Sequence, residues 1–184
     1  MTSYLDAFIP PFCTPPCAAG SNLVGPVGPT GVAGSSGALD FGDFYAIMPP
    51  DNAVALNAGD AIAFPRTNVA GKGGITSNLL GTIFTLSAIG SYMVTFQASV
   101  TPAAQIVMVL NGAEQTAAPF DSVVGRAPGT NQMMGMYFIT TIAANTTLQF
   151  WNPLGDVVPL VLEPAAGGTG SLTVSAHLTI VRIA

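Results

Sequence analysis

From Gly25 to Gly37 the chain reads GPVGPTGVAGSSG, with Gly25, Gly28, Gly31, Gly34 and Gly37 in one phase and Pro26 and Pro29 directly after two of them. Strict Gly-X-Y phasing serves one architecture: three extended chains wind round each other, and only glycine fits at the crowded axis. The stretch therefore predicts a chain that assembles in threes. Five triplets are too few to sustain a triple helix alone, so residues 25–39 are expected to act as a neck, with a plain Gly/Pro linker as the alternative. Its fifteen residues, at about 3 Å each, reach roughly 45 Å. Three parts follow: residues 1–24 as a docking or tether peptide, 25–39 as the neck, and 40–184 as a head.

The first part, MTSYLDAFIPPFCTPPCAAGSNLV, carries four prolines, which rule out a regular helix across most of it. It nevertheless holds Tyr4, Leu5, Phe8, Ile9 and Phe12, whereas disordered tails are poor in aromatics. An extended apolar peptide of this kind reads as one made to be gripped. The alternative is a terminus that packs on its own domain. It has neither a basic opening nor an unbroken apolar core, so a secretory signal is not expected. Cys13 and Cys17 form a C-x3-C pair, for which we expect disulfides, within the chain or between trimer mates. Two free thiols are the plainer alternative, and a metal site is disfavoured because the single histidine, His177, lies far away in sequence.

Only 7% of residues are charged, against about 25% in ordinary soluble domains. No run of eighteen apolar residues occurs, so no membrane-spanning helix is expected. The apolar excess is interleaved with Gly, Pro, Thr and Asn, which suits a subunit whose surface is covered by copies of itself. The net charge is −5, and Arg66, Lys72, Arg126 and Arg182 are the only basic side chains, which argues against a nucleic-acid partner.

In the head, short apolar runs recur between turn sequences such as NAGD, LNGAE, RAPGTN and PAAGGTGS. The run SYMVTFQASV alternates: Tyr92, Val94, Phe96, Ala98 and Val100 face one way, Ser91, Met93, Thr95, Gln97 and Ser99 the other. The last run places Leu172, Val174, Ala176, Leu178 and Ile180 on one face and Thr173, Ser175, His177 and Thr179 on the other. Further strands are expected at 44–48, 53–57, 61–64, 82–86, 105–110, 120–125, 132–142, 146–151 and 157–163. Residues 106–110 are apolar on both faces, which predicts cover from a neighbouring subunit. With no stretch of helical periodicity, the fold class is all-β, a two-sheet jelly roll.

Nothing in the pattern assembles a catalytic constellation, and we expect no enzyme, no cofactor and no metal. His177 sits between Ser175 and Thr179 as a polar-face or interface residue, and no G-x-S-x-G occurs. Asp40, Asp43, Asp51 and Asp60 would suit calcium by chemistry, but their spacing is not that of an EF-hand. Glu114 reads as a solvated hairpin residue, Asn145-Thr146-Thr147 as a chance glycosylation sequon, and Phe120 and Trp151 as the only weak candidates for displayed aromatics.

The segments AIGSYMVTFQASVTPAAQIVMVLNGAEQ (88–115), VVGRAPGTNQMMGM (123–136), NPLGDVVPLVLEPAAGGTG (152–170) and VSAHLTI (174–180) resemble the C-terminal domain of the collagen-like spore-surface (exosporium, BclA-type) proteins. That domain belongs to the C1q/TNF-like jelly rolls. The resemblance covers residues 80–184 and, less closely, 40–80. It implies a homotrimeric jelly-roll head on an extracellular surface. Asn22, Leu23, Val24, Gly25 and Pro26 resemble the core of the exosporium leader peptide, which in that family tethers the fibre, and so imply an anchor protein at the fibre base. Collagen-like proteins of giant viruses carry similar heads, so a virion surface is the alternative location. The expected function is a structural subunit of a surface fibre or pilus-like appendage, its trimers stacking head to tail through the N-terminal peptide. The alternative is a trimeric display or adhesion module binding a glycan or receptor.

Overall fold

The computed structural model describes residues 38–101, 103–117, 120–127, 132–163 and 173–184, all within the unit Ser35–Ala184. Four sets of expected site residues lie outside the described residues: the docking residues Tyr4, Leu5, Phe8, Ile9 and Phe12, the Cys13/Cys17 pair, the tether core Asn22, Leu23, Val24, Gly25 and Pro26, and the neck glycines Gly25, Gly28, Gly31, Gly34 and Gly37. So do Leu172 and the turn around residue 168. Thirteen strands and no helix occur among the described residues. They are β1 (Asp40–Ile47), β2 (Arg66–Ala70), β3 (Ile75–Ser77), β4 (Phe84–Leu86), β5 (Gly90–Ser99), β6 (Ala104–Leu110), β7 (Ala113–Glu114), β8 (Thr116–Ala117), β9 (Phe120–Asp121), β10 (Val124–Arg126), β11 (Gln132–Thr141), β12 (Thr146–Trp151) and β13 (Val174–Arg182).

Two antiparallel sheets face each other. One has the order β11-β5-β13-β1-β2, the other β10-β6-β12-β4-β3 with β7 added beside β6. The alternation read at 91–100 is realised in β5: Tyr92, Val94, Phe96, Ala98 and Val100 are all buried. In β13 it holds for Ala176, Leu178 and Ile180 and then breaks. A register shift against β1 pairs Ala46 with Ala176 but Ile47 with Val174, so Ser175 is skipped. This bulge turns Val174 outward and buries Ser175, whose hydroxyl donates to the Ala46 carbonyl at 3.3 Å.

Three expected strands are not strands. Residues 53–57, 61–64 and 157–163 contribute only isolated bridges, Leu56 to Leu160, Ala61 to Trp151 and Val100 to Leu162. The expected strand at 120–125 divides into β9 and β10. Val107 and Val109 are fully buried within the single chain, so the two-faced apolar run in β6 does not require cover from a neighbouring subunit.

A relay of aromatic rings fills the space between the sheets. Phe44 meets Phe84 at 4.7 Å, Phe84 meets Phe64 at 6.0 Å, Phe64 meets Phe150 at 6.4 Å, Phe150 meets Phe96 at 4.6 Å, and Phe96 stacks on Tyr137 at 6.2 Å. Each such pair contributes about 0.5–1.5 kcal/mol beyond area burial. The last contact depends on Gly135, which pairs with Phe96 across β11 and β5. A Cβ there would fall on the Tyr137 hydroxyl and the Phe96 ring.

Candidate functional site

The inward residues of the five-stranded sheet pack into the core shared with the other sheet. Its outward face forms three cross-strand rows, fixed by register. Nearest the start of β1, Phe138, Met93, Val181 and Phe41 lie side by side. Next come Met136, Thr95, Thr179, Asp43 and Val69. Farthest along β1 are Met134, Gln97, His177, Tyr45 and Arg66. The β11 margin of this face is apolar and open: Met134 is 67% exposed, Met136 62% and Phe138 61%. β11 alternates without a break, so these side chains point out because Met133, Tyr137 and Ile139 point in.

The other half of the face is polar. Asp43 Oδ1 lies 2.6 Å from His177 Nε2 and accepts the Thr179 hydroxyl at 3.0 Å, while Asp43 Oδ2 accepts Asn68 Nδ2 at 3.0 Å. A carboxylate facing Nε2 favours the proton on that nitrogen, which in the neutral ring leaves Nδ1 as an acceptor. Beside this network Tyr45, Asn68, Gln97, Val174 and His177 line a shallow concavity of about 480 Å³.

No protein-family model matches the chain, and no curated protein matches it in sequence. Among solved structures, the globular domain of the zebrafish complement 1qA protein is similar, with a TM-score of 0.50 at 11% identity over 77% of this chain and 94% of that one. Murine APRIL at pH 8.0 gives a TM-score of 0.48 at 12% identity, over 78% of this chain and 98% of that one. The head is a C1q/TNF-like jelly roll. At such identities the likeness is one of fold.

Within this jelly roll the four aspartates noted in the sequence do not converge. Asp40 is buried, and its carboxylate accepts the N–H groups of Phe41 at 2.8 Å, Lys72 at 2.6 Å and Gly74 at 2.6 Å. A Cβ at Gly71 or Gly74 would occupy that carboxylate's place, which accounts for the GKGG turn. Asp51 holds Arg66 Nε at 2.6 Å and the Ile47 N–H at 2.9 Å, and Asp60 accepts the Asn57 N–H at 2.8 Å. Asp43 alone stands on the outward face, beside His177.

Glu114 is not simply solvated: its Oε1 accepts the Leu154 N–H at 2.7 Å and so ties β7 to the loop after β12. Trp151 is half-buried at the end of β12, and Phe120 lies in β9. Asn145 takes φ 59° in the turn before β12, where Thr146 is buried and its hydroxyl donates to the Ala143 carbonyl. The convergence of Tyr45, Asn68 and Gln97 on His177 had no signal in the sequence. It depends on pairing the first strand with the last.

Proposed function

We propose that the chain is a structural subunit of an extracellular surface fibre or pilus-like appendage of the spore-exosporium type. In this reading, three heads associate through the outward face of the β11-β5-β13-β1-β2 sheet. The observation that carries it is the stripe of Met134, Met136 and Phe138 on the terminal strand of that sheet. Side chains at i, i+2 and i+4 of one strand form a contiguous patch. In a chain with 7% charged residues, such a patch fits burial against another copy. The Gly-X-Y neck, with Gly25, Gly28, Gly31, Gly34 and Gly37 at its axis, supports a three-fold assembly by independent chemistry.

Tyr4, Leu5, Phe8, Ile9 and Phe12 are the anchors by which each tail docks into a neighbouring trimer. A tail-to-head contact is heterologous and does not close, so it propagates as a filament. Three tails entering one head act together through effective concentration. A neck of roughly 45 Å suits a spacer between successive heads. Cys13 and Cys17 strengthen the docked tail as disulfides, and residues 22–26 contact an anchor protein at the fibre base. Electron microscopy of the full chain and of a deletion of residues 1–20 tests this. Filaments are expected from the first, and from the second trimers that do not polymerise. Filaments from the truncated chain, or none from the full chain, would overturn stacking.

A further inference from the structure

We propose that a groove between β6, β10 and the loop after β12 receives the N-terminal peptide of a neighbouring trimer. This inference rests on the stacking reading above and gives stacking its receiving surface. Ala103, Ala104, Gly125, Ala127 and Val158 line the groove, whose volume is about 430 Å³. The concavity follows from the sequence: methyl groups and a bare glycine stand where longer side chains would fill it. β6 and β10 belong to the β10-β6-β12-β4-β3 sheet. The groove is therefore not on the outward face of the β11-β5-β13-β1-β2 sheet, through which the heads associate in that reading.

The loop that forms one wall is held before anything binds. Asn152 is fully buried, and its Nδ2 donates to the Leu56 and Val158 carbonyls at 3.0 Å each. Asp156 Oδ1 accepts the Val158 N–H at 3.0 Å, so the main chain at Val158 is fixed at both its N–H and its carbonyl. Leu56 and Leu160 exchange main-chain hydrogen bonds of 2.8 Å behind it. Val157, between two lining residues, is nonetheless 93% exposed. An apolar side chain displayed on a rigid loop binds without the cost of ordering that loop.

Position and chemistry select the occupant. The end of the sandwich that holds Asp40 also holds Gly90 and Thr141, through the β1, β13, β5 and β11 registers. β12 starts near that end, five residues after Thr141, and runs six residues, or roughly 20 Å, away from it. The loop after β12 is thus at the far end of the head from Asp40. A stack of heads along one axis joins the near end of one head to the far end of the next. Residues 1–20 precede the neck and carry the five apolar anchors with one charged side chain, Asp6. Arg126 and Asp156 give the groove one charge of each sign, which suits a nearly uncharged peptide and not a polyanion or a basic chain. Pro10, Pro11, Pro15 and Pro16 bias that peptide to extended conformations, which lowers the entropy lost on entering a groove.

The test is photocrosslinking of the full chain carrying Phe8→p-benzoylphenylalanine, assembled from a mixture of heavy-isotope-labelled and unlabelled chains and mapped by mass spectrometry. Crosslinks between differently labelled chains are expected at residues 103–105, 125–127 or 156–158. In the chain without the photoprobe, Val157→Lys and Gly125→Leu should each raise the concentration at which filaments form about tenfold or more, at unchanged trimer mass and melting temperature. A Cβ at Gly125 meets Gln105 Cγ at 3.6 Å, an ordinary contact, so the leucine fills the groove without displacing β10. Leu79→Lys, at a fully exposed position between β3 and β4 on the opposite margin of the same sheet, is the control and should polymerise as the unsubstituted chain does. Filaments whose crosslinks fall elsewhere on the head, or that form unchanged from both variants, overturn the groove and leave stacking standing. Loss of filaments from Leu79→Lys as well would reduce the variants to a general effect of surface change and count against the groove. If the unsubstituted chain forms no filaments, stacking fails and the groove's role fails with it. If a variant misfolds, the crosslink map, made on the unsubstituted head, decides.

Discussion

At Asp40 a carboxylate stabilises a turn: its two oxygens receive three main-chain N–H groups from β1 and the β2–β3 loop. Hydrogen bonds to a charged group contribute about 1.5–3 kcal/mol, and orphaned donors are costly. Asp40→Ala should therefore destabilise the head by about 3 kcal/mol, read as a fall in thermal midpoint of roughly 6–12 °C by circular dichroism. An unchanged midpoint would mean that water replaces the carboxylate freely. Tyr137 sets a second residue-scale expectation. Burial, with the nearby Asp121 charge as a lesser cause, pushes its hydroxyl pKa up to about 12, and that hydroxyl donates to the Ser122 carbonyl at 2.8 Å. An unfolded tyrosine titrates near 10, so the folded state holds this proton more tightly. The stabilisation is complete below about pH 10 and is lost as the pH rises toward about 12. Tyr137→Phe should flatten that decline in urea unfolding measured from pH 9 to 11, while costing about 1 kcal/mol at pH 7.

Among the elements, β11 couples core and surface most directly. Gly135→Val should force the Phe96–Tyr137 stack apart and cost about 1–3 kcal/mol, measured by urea unfolding. A neutral effect would show that the stack relaxes without loss. β11 and β5 were legible in the sequence because long, strictly alternating strands with one buried face carry their own period. β2 and β3 were not: RTNVA and ITS sit at sheet margins with little apolar content, so pairing rather than pattern defines them. Residues 53–57, 61–64 and 157–163 misled in the opposite direction. Part of their apolar content packs inward, as Ile62, Phe64, Leu160 and Leu162 do, while Val54 and Val157 are exposed, and Asn57, Gly59, Pro65 and Pro159 interrupt any ladder. The site was half legible. His177 could be placed on a polar face, but its partner Asp43 lies 134 residues earlier (177 less 43), and only the β1–β13 register brings them together.

For the whole molecule, the account rests on self-association through one sheet face. Its polar half, with Asp43 and His177 satisfied by neighbours, and its apolar margin, with Met134, Met136 and Phe138 open, predict different consequences of substitution. Changes at the apolar margin should alter assembly and leave the fold intact, because those side chains contribute nothing to the aromatic core. The tail should govern stacking of trimers and leave trimer formation untouched. The most direct measurement is sedimentation of a chain lacking residues 1–20 at micromolar concentration, alone and with Met136→Lys and Phe138→Lys together. The account predicts close to three times the chain mass, which is 18.6 kDa at full length, for the first, and a single folded chain with unchanged far-UV circular dichroism for the second. A stable monomer without the lysines, or a trimer that survives them, would contradict it.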